Sequence, residues 1–141
     1  MRSKSTDDLH QELMSTPDID LYIHDNCECF VDQSVAEQLQ AIFEQKNISK
    51  AALARIAKMS EVYLHQVFSG RRNPSRDRLL CLCIGLEATL DETQSLLRQA
   101  AYAPLHPRQK RDAVILYGLL HHTALDVIND KLFAENEKAL F

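Results

Sequence analysis

The chain has few of the residues that interrupt regular structure: its 141 residues include three glycines, four prolines and no tryptophan. Scarce Gly and Pro favour helices. The composition is 45% apolar and 26% charged, with no low-complexity tract, which is typical of a globular protein with a core and excludes disorder and fibrous repeats. The length corresponds to about one domain, which excludes a multidomain enzyme.

Long apolar runs are also missing. The longest, at 79–86 and 113–120, contain eight residues each, whereas a helix needs about 20 to cross a bilayer. The N-terminal residues are charged and polar, without the apolar core of a secretory signal. We therefore expect no membrane partner and a cytoplasmic location.

The four cysteines occur as two Cys-x-Cys pairs, Cys27/Cys29 and Cys81/Cys83. In a cytosolic chain of this length that pattern argues against a disulfide framework. A four-thiolate zinc site usually uses Cys-x₂₋₄-Cys turns, and residues two apart on a helix point about 200° away from each other. We expect no metal and no cofactor, with Cys83 as a small core residue and Cys81 as incidental.

Recognisable catalytic arrangements are absent from the sequence. There is no Gly-rich phosphate loop, no nucleophile elbow and no paired-carboxylate constellation in a plausible cleft. The neighbouring His121 and His122 side chains would point about 100° apart on a helix, so they cannot chelate one metal ion. We predict that the protein is not an enzyme.

Charge is distributed unevenly along a chain whose formal net charge is −4. Residues 1–33 contain two basic and eight acidic side chains, a balance of −6. Residues 50–78 contain seven basic and two acidic side chains, a local excess of +5. One basic patch therefore sits on an acidic protein, which lacks the strongly basic footprint of an obvious DNA-binding domain.

Every strong periodic signal has helical spacing, and no segment alternates as a strand would. The pattern predicts an all-α fold. Short helices are expected at residues 6–14 and at about 17–23, within an acidic N-terminal arm that spans residues 1–33.

The clearest structural prediction from the sequence is a pair of short helices joined by a tight turn. A longer amphipathic helix begins after Ser34, and Ser49 and Ser60 then cap helices at 50–57 and 61–68, which a three-residue turn joins. Two helices that cross closely need small or apolar side chains at the crossing and towards the core. Suitable residues occupy all six such positions: Leu53, Ala54, Ala57, Met59, Leu64 and Val67.

Residues 49–92 resemble the Cro/lambda-repressor-like (xenobiotic-response-element class) helix-turn-helix family. The resemblance rests on these matches: the pair Leu53-Ala54, Tyr63-Leu64 with Gln66, the sequence SGRRNPS at 69–75, the leucine-rich helix after it, and TLDE at 89–92. With the preceding helix, the similarity covers residues 34–100, about half the chain. It implies a five-helix bundle, to which the N-terminal helical arm and a C-terminal helical hairpin at 101–141 are added.

Two residues depart from the family pattern. Lys58 occupies the turn position where the family usually has Gly, and a non-Gly residue in left-handed geometry there should cost about 1 kcal/mol. Glu61 stands at the start of the recognition helix, where its carboxylate would repel phosphate.

The resemblance implies a sequence-specific DNA-binding transcriptional regulator whose second motif helix enters the major groove. The residues that would face bases are Glu61, Val62 and Gln66, with His65 at the edge. The residues that would hold the phosphate backbone are Lys50, Arg71, Arg72 and Asn73. Arg76 and Arg78 either add to those contacts or simply solvate the fourth helix.

An internal repeat aligns residues 74–105 with 107–141 at an offset of 33 to 35. It predicts that the C-terminal hairpin packs against the first copy, since Ile84 falls on the outer face of the fourth helix and needs a cover. The hairpin's apolar stripe, formed by Leu125, Ile128 and Leu132, is either core or a dimer surface.

A regulator that reads a two-fold operator needs a dimer, so a homodimer is expected. The alternative function is a helical adaptor, which would use the same helical surface, the hairpin or the N-terminal arm to bind a protein partner rather than DNA.

Overall fold

A computed structural model of the chain describes residues 4–26 and 34–141. Within those two ranges every regular element is an α-helix, so the all-α prediction is confirmed. The helices are α1 (Thr6–Ser15), α2 (Ile19–Asp25), α3 (Val35–Glu44), α4 (Lys50–Ile56), α5 (Glu61–Phe68), α6 (Arg76–Gly85), α7 (Leu90–Gln99), α8 (Lys110–Leu120) and α9 (Leu125–Ala134). The chain divides into two compact units, Met1–Asp32 and Gln33–Phe141.

The first unit contains α1 and α2, which contact each other. Ser5 caps α1 by accepting a hydrogen bond from the Asp8 backbone N–H at 3.1 Å, and Asp18 caps α2. The buried Asn26 side chain donates to Glu12 Oε2 at 2.7 Å and accepts from Lys4 Nζ at 2.7 Å. Because neither helix contains a buried residue, polar contacts are prominent in holding this hairpin together.

The second unit is built around α6, in which every residue from Leu79 to Ile84 is buried. A helix that is apolar all round requires neighbours on every side, and α6 contacts α4, α7 and α9. Other helix contacts in this unit are α3 with α5 and α7, α4 with α5, α7 with α8, and α8 with α9. Seven helices, α3 to α9, therefore lie in one compact unit.

The five-helix count implied by the resemblance is wrong for this chain, whose described residues form nine helices. The reason is the outer face of α6, where Ile84 would be exposed in a five-helix bundle. Ile84 is buried, and α9 packs on α6. The hairpin stripe of Leu125, Ile128 and Leu132 is also buried, so it is core rather than a dimer surface.

Both cysteines of α6, Cys81 and Cys83, are buried. Cys81 is 2% exposed, so the interpretation of Cys81 as incidental is wrong, because α6 has no solvent-facing side at that point. Burial raises the pKa of the Cys81 thiol to about 11 and that of the Cys83 thiol to about 12. Cys27 and Cys29 lie outside the described residues.

Residues 4–26 and 34–141, which the structure describes, include neither a metal-ligand cluster nor a membrane-spanning helix. They contain no group of three or more His, Cys, Asp or Glu side chains that could hold a metal ion. No helix there has the length and hydropathy that a membrane crossing requires.

Within residues 4–26 and 34–141, five non-glycine residues adopt left-handed backbone geometry, each two residues after the end of a helix: Lys58, Glu87, Ala101, His122 and Asn136. Lys58 has φ 60°, which confirms the strained turn expected at that position. In this turn the backbone N–H of Met59 donates to the carbonyl of Ala54 at 3.0 Å. That bond satisfies a carbonyl at the end of α4, as in a Schellman motif.

Glycine at position 101 should stabilise the protein. Ala101 is exposed with φ 62°, and its Cβ disfavours that geometry. We expect Ala101→Gly to raise the free energy of unfolding by about 1 kcal/mol, measured by urea denaturation. The matched control is Ala100→Gly one residue earlier, where φ is −81° and glycine should lower stability. A loss of stability in both variants would contradict the prediction.

Candidate nucleic-acid interface

Helices α4 and α5 form the helix-turn-helix pair, with small and apolar side chains at their crossing. Helices α4 and α5 contact each other across the turn. The Ser49 hydroxyl accepts from the Ala52 backbone N–H at 3.1 Å, and the Ser60 hydroxyl accepts from the Tyr63 backbone N–H at 3.1 Å. Of the six inward positions, Met59 is partly buried, and the other five are buried: Leu53, Ala54, Ala57, Leu64 and Val67. The predicted packing of the motif is confirmed.

An open groove runs along the outer side of α5. Its lining includes five of the eight predicted site residues: Lys50, Val62, His65, Gln66 and Arg71. Phe68 and Ser69 complete the lining. Val62 is 69% exposed, whereas Gln66 is half-buried, so an apolar and an amide side chain line the groove together with basic ones.

The ammonium group of Lys50 lies 5.4 Å from the centroid of the Phe68 ring. Phe68 is itself held by an edge-to-face contact with Phe43, with ring centroids 5.4 Å apart. A cation over an aromatic face is attracted by the ring quadrupole. Lys50 is therefore positioned at the groove by the aromatic pair.

The loop after α5 folds back on the helix. Gly70 has φ 81°, in the left-handed region that glycine adopts without a Cβ clash. The Gln66 carbonyl accepts from the backbone N–H groups of both Arg71 and Arg72, at 3.0 and 3.2 Å. The turn thus places two consecutive exposed arginines directly after the recognition helix.

The other predicted residues lie outside the groove. Arg72 and Asn73 line a second depression, together with Ser34 and Val35 at the start of α3. Glu61 borders neither depression and is exposed in the first turn of α5. The structure therefore gathers five of the eight predicted residues around one groove and places Arg72 and Asn73 beside another.

Arg76 is partly buried and is held by contacts to other parts of the fold. Its Nη2 lies 3.3 Å from Asp112 Oδ2 at the start of α8, and its Nε donates to the Ala103 carbonyl at 2.9 Å. A second ion pair runs the opposite way between the same helices, since Arg111 Nη1 lies 3.0 Å from Asp77 Oδ1. Arg76 therefore joins α6 to α8, and a phosphate contact would require breaking that pair.

Arg78 has the opposite environment. Its side chain is exposed, and its guanidinium carbon lies 4.5 Å from the centroid of the Tyr63 ring. From the sequence alone, Arg76 and Arg78 carry the same expectation. The repeated Arg-Asp dipeptide, at 76–77 and at 111–112, was the signal that could have separated them, because like dipeptides in two packed copies can pair reciprocally.

Comparison with protein families matches residues 34–96 to the family described as a helix-turn-helix domain. This segment is a helix-turn-helix domain of the Cro/C1 type, like those of the xenobiotic-response-element class. Such a domain suggests DNA binding, and its family is typically non-enzymatic. Comparisons with curated proteins and with solved structures gave no match.

Proposed function

We propose that the protein is a sequence-specific DNA-binding transcriptional regulator, with α5 as its recognition helix. The observation that carries the proposal is the groove beside α5. An exposed Val62 and a half-buried Gln66 line this groove together with Lys50 and Arg71, in a segment that matches a helix-turn-helix domain.

The proposed base contacts follow from side-chain chemistry. Gln66 offers an amide that can pair with adenine, Val62 can contact a thymine methyl, and Glu61 can accept from cytosine N4, with His65 at the edge. The exposed carboxylate of Glu61 also repels phosphate, which limits where the DNA backbone can pass along α5.

The proposed phosphate contacts are Lys50, which precedes α5 in the sequence, and Arg71, Arg72 and Asn73, which follow it. Among the described residues, no carboxylate lies within ion-pair distance of Lys50, Arg71 or Arg72. Cations that are not neutralised within the protein are available to replace the counterions of a DNA backbone.

A titration of the full chain with duplex DNA tests the function. The probe is the duplex that flanks the protein's own gene, compared with a scrambled duplex over a series of salt concentrations. We expect the own-gene duplex to bind more tightly than the scrambled one. A plot of log affinity against log salt concentration should have a slope of about −0.9 per phosphate contacted. Failure to bind any duplex at low salt would contradict the proposal, and recovery of a stoichiometric protein partner from nuclease-treated lysate would then favour the adaptor.

Dimerisation is part of the proposal. A two-fold operator is read by two copies related by the same symmetry. On the C-terminal hairpin, Tyr117, Leu120 and Val127 are each more than half exposed, and they offer apolar contacts to a second copy. Sedimentation of the protein with and without duplex measures the stoichiometry, and a monomer in both states would contradict a dimer.

A further inference from the structure

Two guanidinium groups converge on the ring of Tyr63. The guanidinium carbon of Arg78 lies 4.5 Å from the ring centroid, and that of Arg72 lies 5.5 Å from it. Tyr63 is partly buried and packs against the hydrophobic core, so its ring is fixed relative to α5. One aromatic side chain of the recognition helix thus holds arginines from the loop and from the first turn of α6.

Neither arginine has a carboxylate within ion-pair distance among the described residues. The acid beside Arg78 in sequence is Asp77, whose carboxylate is 3.0 Å from Arg111 Nη1 and 3.7 Å from Lys138 Nζ. The Asp77 carboxylate is therefore paired with Arg111 and Lys138, two cations from the C-terminal part of the chain, rather than with Arg78.

The two guanidinium carbons are within about 10 Å of each other, because both lie close to the same ring centroid. The separation is therefore no larger than about one Debye length at 0.1 M salt, so salt screens the repulsion between the two charges only in part. Stacking on Tyr63 offsets part of this cost, since a cation over an aromatic face is attracted by the ring quadrupole. An anion in contact with both arginines would offset the repulsion between them.

We propose that Arg72, Arg78 and the ring of Tyr63 form a binding site for a phosphodiester group of the DNA backbone. The inference rests on the proposed function and adds α6 to the interface through Arg78. Arginine suits this role because its planar fork donates two parallel hydrogen bonds to phosphate oxygens. Tyr63 is a positioning residue, which aligns both guanidinium groups without contacting the phosphate.

The first test replaces Arg78 with glutamine in the full chain. We expect Arg78→Gln to weaken binding of the own-gene duplex about tenfold at low salt and to reduce the magnitude of the salt slope by about one. The loss should be similar on a scrambled duplex, because a phosphate contact carries no sequence information. The control is Arg98→Gln on α7, an exposed arginine that should leave affinity and slope unchanged.

The second test separates positioning from general stability. Tyr63→Phe keeps the ring and should preserve both affinity and slope, whereas Tyr63→Leu should reproduce the slope change of Arg78→Gln. Circular dichroism and thermal melting verify that each variant is folded. If Tyr63→Leu is unfolded, the comparison of Arg78→Gln with Arg98→Gln decides the proposal alone.

The outcomes distinguish this site from the function on which it rests. A wild-type protein that binds no duplex would overturn both proposals. A wild-type protein that binds DNA, with an Arg78→Gln variant of equal affinity and equal salt slope, would overturn the phosphate site and leave the regulator proposal intact.

Discussion

Replacing Arg71 and Arg72 together with alanine is expected to weaken duplex binding about 100-fold at low salt. Each exposed guanidinium would lose a contact to phosphate with a net worth of about 1.4 kcal/mol, which corresponds to about tenfold in affinity. The magnitude of the salt slope should fall by about two, one for each phosphate contact removed. Anisotropy titrations of a labelled duplex at several salt concentrations measure both quantities.

The control for this double variant is Arg98→Ala combined with Arg108→Ala. It removes the same net charge from two exposed arginines that line neither depression beside the helix-turn-helix motif. If the control weakens binding as much as the test variant, overall charge rather than the loop after α5 determines affinity. Unchanged binding in the Arg71 and Arg72 variant would show that the proposed phosphate contacts are wrong.

Leu132→Ala is expected to lower the free energy of unfolding by about 2–5 kcal/mol, the usual cost of a large-to-small change in a core. Leu132 is 0% exposed within α9, and α9 packs on α6, the central helix of the unit. The loss should therefore appear in the unfolding of the whole second unit. Urea denaturation followed by circular dichroism measures it.

The neighbouring residue supplies a matched control. Phe133 has a larger apolar side chain but is 80% exposed, so Phe133→Ala should change stability by no more than about 0.5 kcal/mol. A hairpin that unfolds on its own in Leu132→Ala, leaving a second transition at the wild-type urea concentration, would show that α9 is not part of the shared core.

The repeat explains why the hairpin joins the helix-turn-helix domain so closely. Helices α6 and α8 each begin near an Arg-Asp dipeptide, and the two dipeptides form reciprocal ion pairs. Each copy also has a helical glycine that allows close approach. A Cβ on Gly118 would lie 2.4 Å from Ile128 Cγ1, and one on Gly85 would lie 3.3 Å from Leu53 Cδ1.

The outline of the candidate site was predictable from sequence. Ser49, Ser60 and Gly70 act on backbone groups only a few residues away, so the caps and the turn could be read locally. The helical spacing of apolar residues placed α5 and its outer side. The different environments of Arg76 and Arg78 were not predictable, because they depend on Asp112 and on the ring of Tyr63.

The sequence by itself determined where the helices of the helix-turn-helix domain begin, which side chains face its core and that Lys58 takes left-handed geometry. Those features depend on capping, periodicity and turn chemistry within a few residues. The tertiary structure decided that the hairpin stripe is core, that Cys81 is buried, and which arginines are paired. The paired arginines and their carboxylates are 34 and 36 residues apart, and the stripe lies still further along the chain from α6. Only the packing of α6 with α8 and α9 brings these groups together.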